Sequence, residues 1–210
     1  GVLMITSPVA YSVFNIALME AAAPDMEGEL HRRIRVARRH YESLGYPWSF
    51  WVCESDLGRR EMRRLFETFA AEGMNCIAES PGMDANELSE QKRRLPLLEF
   101  RQVWDVEARS DFSAIVCACF HIPPAMAGAV YAKQEFWTGQ LRAWVGYHGG
   151  RPVTVAAAVA SSGVLGLYSV ATLPEYRRMG YGEVAVRHAV ARSRESGMKG
   201  PLVLQSSPVA

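Results

Sequence analysis

The sequence predicts an α/β (α+β) protein in two units, a smaller α/β unit over residues 1–95 and a larger mixed unit over residues 96–210. Three observations carry that expectation. The N-terminal part alternates helix and strand patterns. Two apolar runs meet at the pair Gly149-Gly150. Between Val170 and Val186 a strand passes through a glycine-containing turn into a helix.

Taken in order, "ELHRRIRVARRHYESL", Glu29 to Leu44, sets Leu30, Ile34, Ala37 and Tyr41 at helical spacing among arginines, and Gly45 and Pro47 stop it. Its basic run reads as a charged outer surface or, alternatively, a binding face. "WSFWVCE", from Trp48, is aromatic and β-branched enough for a strand. A second helix follows, capped by Ser55 or Asp56 and closed by Gly73, and "MNCIAES" returns as a short strand. "PGMDANELSEQKRRLP" has the Pro, Gly and charge content of a connection.

Beyond Pro96 the expected series is a strand in "LLEFRQVWD", a helix in "ARSDFSAIVCACF" and a second helix in "PPAMAGAVYAKQEFW", with Pro123 and Pro124 at or before its first turn. "QLRAWVGYHGG" and "RPVTVAAAVAS" are hairpin strands whose turn glycines supply positive φ angles. "GVLGLYSVAT" adds a third strand, a helix runs from about Met179 to Glu195, and "PLVLQSS" forms the last strand.

Lys plus Arg total 23 and Asp plus Glu 22, so the formal charge of +1 offers no global field for nucleic acid or an anionic membrane. No run approaches the roughly 20 apolar residues of a membrane helix, and a soluble, cytoplasmic protein is expected. Cys53, Cys76, Cys117 and Cys119 lack CxxC spacing and read as reduced, buried thiols rather than disulfide or metal partners. The five histidines show no metal-ligand spacing, so no metal is expected, and His188 reads as a surface or packing residue.

The chemistry concentrates in "VATLPEYRRMGYG". A helix N-terminus presents unpaired N–H groups and partial positive charge, which suits a phosphate. Side chains at Gly180 or Gly182 would obstruct close approach, and Arg177 and Arg178 add charge at the rim. No GK[ST] follows and GxGxxG is not met, which excludes a Walker loop and the dinucleotide fingerprint.

This segment resembles the acetyl-coenzyme A motif of the GNAT acyltransferases, R/Q-x-x-G-x-G/A, with Arg177, Gly180 and Gly182 in its three places, and the element order from about Leu97 to Ser207 is similar to that fold. The resemblance implies a mixed, mainly antiparallel sheet flanked by helices, and acetyl transfer from acetyl-coenzyme A directly to an amine. It further implies that the strand ending at Thr172 splays from "PLVLQSS", so that Val170, Ala171 and Thr172 meet the pantetheine or thioester. Arg177, Arg178, Met179, Gly180, Tyr181 and Gly182 would cradle the pyrophosphate, with Ser206 and Ser207 touching the coenzyme further on.

Many relatives carry a glutamate base on the strand before the motif. Here the strand reads Leu167, Tyr168, Ser169, which leaves Tyr168 as the nearest catalytic candidate, packing as its other reading, and a water relay as a substitute. The helix with a tyrosine that follows the last strand in relatives has no counterpart before Ala210, and the chain begins at Gly1, so a processed or partial chain is expected. Cys117 and Cys119 have no evident activating base, which disfavours a covalent acyl-enzyme. The N-terminal "PWSFWVCES" and "PGM" are similar to the front of bacterial two-domain GNAT proteins, whose first unit is degenerate. That would place an amine acceptor between the units, with Trp48, Trp51, Trp137 or Trp144 as walls or, alternatively, as core. A homodimer is left open. The alternative function is a catalytically silent acyl-coenzyme A sensor or interaction module.

Overall fold

The structure, a computed structural model, describes residues 1–21, 28–137 and 139–206. It divides into two compact units, Gly1–Glu79 and Ser80–Ala210.

In the first unit β1 (Val2–Ile5) and β2 (Ile16–Met19) pair antiparallel, and β2 pairs parallel with β3 (Ser49–Trp51). Helices α1 (Gly28–Leu44) and α2 (Arg59–Ala71) belong to the same unit. The apolar stripe of α1 is buried as its spacing requires: Leu30 and Ile34 meet Met19 and Leu65, while Ala37 and Tyr41 meet Ala17. Tyr41 stacks on Trp48 at 5.3 Å between centroids, and its hydroxyl donates to the Ile16 carbonyl at 2.7 Å. Buried Asn15 ties the loop between β1 and β2, accepting from Ser7 N at 3.0 Å and donating to Val9 O at 2.8 Å.

The arginines of α1 are largely consumed inside this unit. Glu29 holds Arg32 and Arg33, while Glu72 holds Arg35, Arg38 and His31. Carboxylates so engaged favour the charged-surface reading of that helix over a binding face.

Two expectations for this region fail. β1 and β2 are strands that their sequences did not announce, because each is only four residues long and gains its partner through the tertiary fold. "MNCIAES" forms no strand, and Ile77 within it is 83% exposed. The strand lies instead at β4 (Gly82–Ala85), in the stretch expected to be a connection, where pairing with the last strand overrides a turn-like composition.

The second unit holds a six-stranded sheet in the order β4-β9-β8-β7-β6-β5, made of β4 with β5 (Glu99–Gln102), β6 (Leu141–His148), β7 (Arg151–Ser161), β8 (Val164–Thr172) and β9 (Leu202–Gln205). All neighbours are antiparallel except β8 and β9. Gly149 (φ 54°) and Gly150 (φ 75°) make the β6–β7 turn, as expected from a pair that needs left-handed φ at both positions.

On one face lies α5 (Tyr181–Glu195), packing Ala185, Ala189 and Val190 against Ala156, Ala158, Leu165 and Leu167. Alanines on β7 keep that face shallow. α3 (Val106–Phe120) and α4 (Pro124–Tyr131) complete the unit with an aromatic cluster of Phe112, Tyr131, Phe136 and Trp137. Asp105 caps α3 by accepting from Ala108 N at 2.8 Å, and Pro124 opens α4. The helix expected through Trp137 ends at Tyr131 and is followed by a short 3-10 turn over Gln134–Trp137. Among the described residues no helix is long and apolar enough to cross a membrane.

Candidate functional site

The site begins in a mismatch of strand lengths. β9 accompanies β8 only from Leu165 to Leu167, while β8 continues to Thr172. From Tyr168 onward the edge facing away from β7 therefore has no strand partner among the described residues. On the other edge the register slips: Val155 pairs with Ala171 but Ala157 pairs with Tyr168, so β8 carries one extra residue. This β-bulge centres on Ser169, whose φ of 48° is left-handed. It changes which residues face α5. Leu165, Leu167 and then Val170 pack there, a step of three where a regular strand takes two. Ser169 hydrogen-bonds the Tyr131 side chain, whose phenol is pushed up chiefly by burial.

At the end of β8, Thr154 donates from its buried hydroxyl to Ala171 O at 2.8 Å. Its single proton is then spent, so the 2.9 Å contact between the two threonine hydroxyls has Thr172 as donor. The carbonyl of Thr172 accepts from Arg177 Nε at 3.0 Å and from Cys119 Sγ at 3.3 Å. Burial pushes the Cys119 thiol up, with Arg177 opposing that shift, so Cys119 is held as a protonated donor.

A 3-10 turn over Pro174–Tyr176 leads to Arg178 (φ 65°), Gly180 (φ 90°) and the first turn of α5. Val184 N donates to Gly180 O at 3.1 Å, so the amides just before it point out of the helix start without intrahelical partners. Arg177, Arg178 and Met179 are exposed around them. Tyr181 is buried, its ring against Tyr176 and His148, and so anchors the turn.

The two motif glycines also have internal reasons. Gly180 needs its positive φ, and a methyl there would sit 3.2 Å from Pro96 Cδ and 3.3 Å from Leu95 Cδ2. At Gly182 a methyl would stand 3.3 Å from Thr172 Oγ1, so this glycine lets α5 approach β8 closely. Sequence reasoning did not find Arg93, which pairs with Glu183 at 3.3 Å and lies beside Gly180, nor Cys119 and Tyr131. The shift from alternation to a three-residue step at Val170 was the one sequence signal of the bulge.

Tyr168 is 53% exposed with its ring folded over Gly166, where a methyl would lie 2.6 Å from Tyr168 Cε2. Ser206 donates its amide to Pro81 O at 3.0 Å, on the β4 side of β9. Ser207 lies outside the described residues. Trp137 and Trp144 are buried in the core, while Trp51 is exposed. All four cysteines are free, and none is buried: Cys53 and Cys76 are exposed, Cys117 and Cys119 half-buried, because short loops and the α3 surface carry them. His188 packs between Phe100, at 3.9 Å, and Trp144, and burial lowers its pKa.

A family model described as the acetyltransferase (GNAT) domain matches residues 126–200, which span α4 to the end of α5 and contain the whole turn. No curated protein matches the chain. Among solved structures, a GCN5-related N-acetyltransferase from Kribbella flavida is 18% identical with a TM-score of 0.73, over 97% of this chain and 76% of its own. A conserved protein of unknown function from Staphylococcus epidermidis is 15% identical with a TM-score of 0.59, over 95% and 77%. These likenesses show a shared fold that takes in both units. The GNAT acetyltransferase domain match thus falls wholly within the second unit, and the fold is the one these solved structures share.

Proposed function

We propose that this protein is an acetyl-coenzyme A-dependent N-acetyltransferase that moves the acetyl group directly to an amine. The observation that carries the reading is the edge of β8 beyond Leu167, without a strand partner among the described residues, which leads through a 3-10 turn to the amide-lined start of α5. An extended amide-bearing arm suits the first feature and a diphosphate the second, which is the chemistry of coenzyme A.

In this reading Val170 and its neighbours offer backbone groups to the pantetheine, and the amides around Gly180 to Gly182 take the pyrophosphate. Acetyl-coenzyme A supplies a thioester carbonyl activated toward an amine. A main-chain N–H on the β8 edge is suited to stabilise negative charge on that carbonyl oxygen. Tyr168, exposed beside the bulge, would in this reading exchange a proton between the amine and solvent. The thiols act otherwise: Cys119, held protonated as a donor to Thr172, is unsuited to nucleophilic attack.

A second reading, a coenzyme-binding sensor without turnover, is favoured by one fact: β8 carries no carboxylate. Incubation of the protein with acetyl-coenzyme A and a panel of primary amines, read by mass spectrometry, separates the two. Acetylated product that disappears in Gly182→Trp supports the enzyme. Coenzyme binding without product across the panel supports the sensor, and no coenzyme binding at all overturns both.

A further inference from the structure

We propose that the groove between α3 and α4 binds an amphipathic monocarboxylate, its carboxylate held by Arg109 and its apolar body lying along α3. The groove has a volume of about 930 Å³ and is floored by small side chains, Ser110, Ser113, Ala114 and Cys117 of α3 facing Gly128 of α4. That volume lies in the range of small-molecule pockets, roughly 300–1,000 Å³. It follows α3 from Arg109 to His121, about 18 Å at 1.5 Å per residue.

Small residues alone would make only a crevice. Arg109 makes it a candidate site. It lines the groove, is only 8% exposed, and its Nε and Nη1 are enclosed with no hydrogen-bond partner. A guanidinium does not discharge by deprotonating, so an enclosed one calls for an anion.

The nearby acids are committed elsewhere. Asp105 accepts from Ala108 N and pairs with Arg101, Glu107 also pairs with Arg101, and Asp111 accepts from Tyr147. No ion pair of Arg109 is recorded among the described residues. Arg109 is the one lysine or arginine of the lining, and the remaining surface is mostly apolar with serine hydroxyls. One planar cation at the end of an apolar trough matches a carboxylate on a hydrocarbon body better than a phosphate, which needs more donors.

The test is calorimetric titration of the protein with sodium octanoate, and with n-octanol as the neutral probe of equal tail. Saturable octanoate binding is expected, at least tenfold tighter than octanol. Arg109→Met should weaken octanoate at least tenfold and leave the unliganded protein no less thermally stable, since an uncompensated charge has gone. A Cβ added at Gly128 meets nothing within 4 Å, so Gly128→Leu should extend into the groove without disturbing the fold and also weaken octanoate at least tenfold. Equal affinity for octanol, or unchanged octanoate affinity in either variant, overturns the proposal. So does a dimer that Gly128→Leu disrupts and octanoate leaves intact, which would give the groove to a second copy of the chain.

Discussion

Arg177 Nε donates to the carbonyl oxygen of Thr172 at 3.0 Å, so the arginine of the glycine turn folds back on the strand that the turn follows. The same side chain thus closes an open carbonyl and holds its charge at the helix start. Arg177→Ala should weaken coenzyme A binding about tenfold, on the order of 1.4 kcal/mol, by removing a charge-assisted contact. Arg177→Lys should recover part of the loss, because lysine keeps the charge and lacks the fork. Titration calorimetry with coenzyme A reads both. Unaltered affinity in the alanine variant would remove the arginine from the site.

The two glycines should respond unequally. Gly180→Ala forces an L-residue to φ 90° against Pro96 and Leu95, and should cost about 1–2 kcal/mol. Gly182→Ala meets only the Thr172 hydroxyl and should cost less than about 1 kcal/mol. Urea unfolding measures the order, and a reversed order would contradict the backbone described for the turn.

Glu72 should make the first unit acid-sensitive. Its hydrogen bond to His31, followed by those to the arginines of α1, holds its carboxyl below the ordinary value of 4.5. A carboxyl lowered on folding contributes stability that is complete above its unfolded value and is lost as pH falls through the folded value. Glu72→Gln should therefore destabilise by about 1–2 kcal/mol near neutral pH, with the gap to wild type closing as pH falls below 4.5 through the folded value. A gap that does not narrow on acidification below pH 4.5 would show that the ion pairs are not its source.

Cys119 should be a slow thiol. Burial raises its pKa and its proton is used by Thr172, while Cys53 and Cys76 are exposed. At pH 8, iodoacetamide should modify Cys53 and Cys76 about tenfold faster than Cys119, by peptide mass mapping. Cys119→Ala should keep acetyl transfer within about threefold. A complete loss of turnover with binding intact would revive a covalent route.

The turn and its helix were legible because their information is local: a proline after a strand, arginines, then two glycines before an apolar helical stripe. The hairpin at Gly149 and Gly150 and the helix from Gly28 to Leu44 were legible for the same reason, being set by φ requirements and by spacing within one element. β4 was not, because "GMDA" is a strand only while Leu202–Gln205 lies beside it.

Local sequence thus determined where this protein bends and which helix start follows the glycine turn. The fold alone decided that Cys119 and Tyr131 reach β8 from other helices and that Arg109 is enclosed with Nε and Nη1 unpartnered among the described residues. Those relations join residues up to dozens of positions apart, and their energies depend on burial and approach that no single stretch of chain contains.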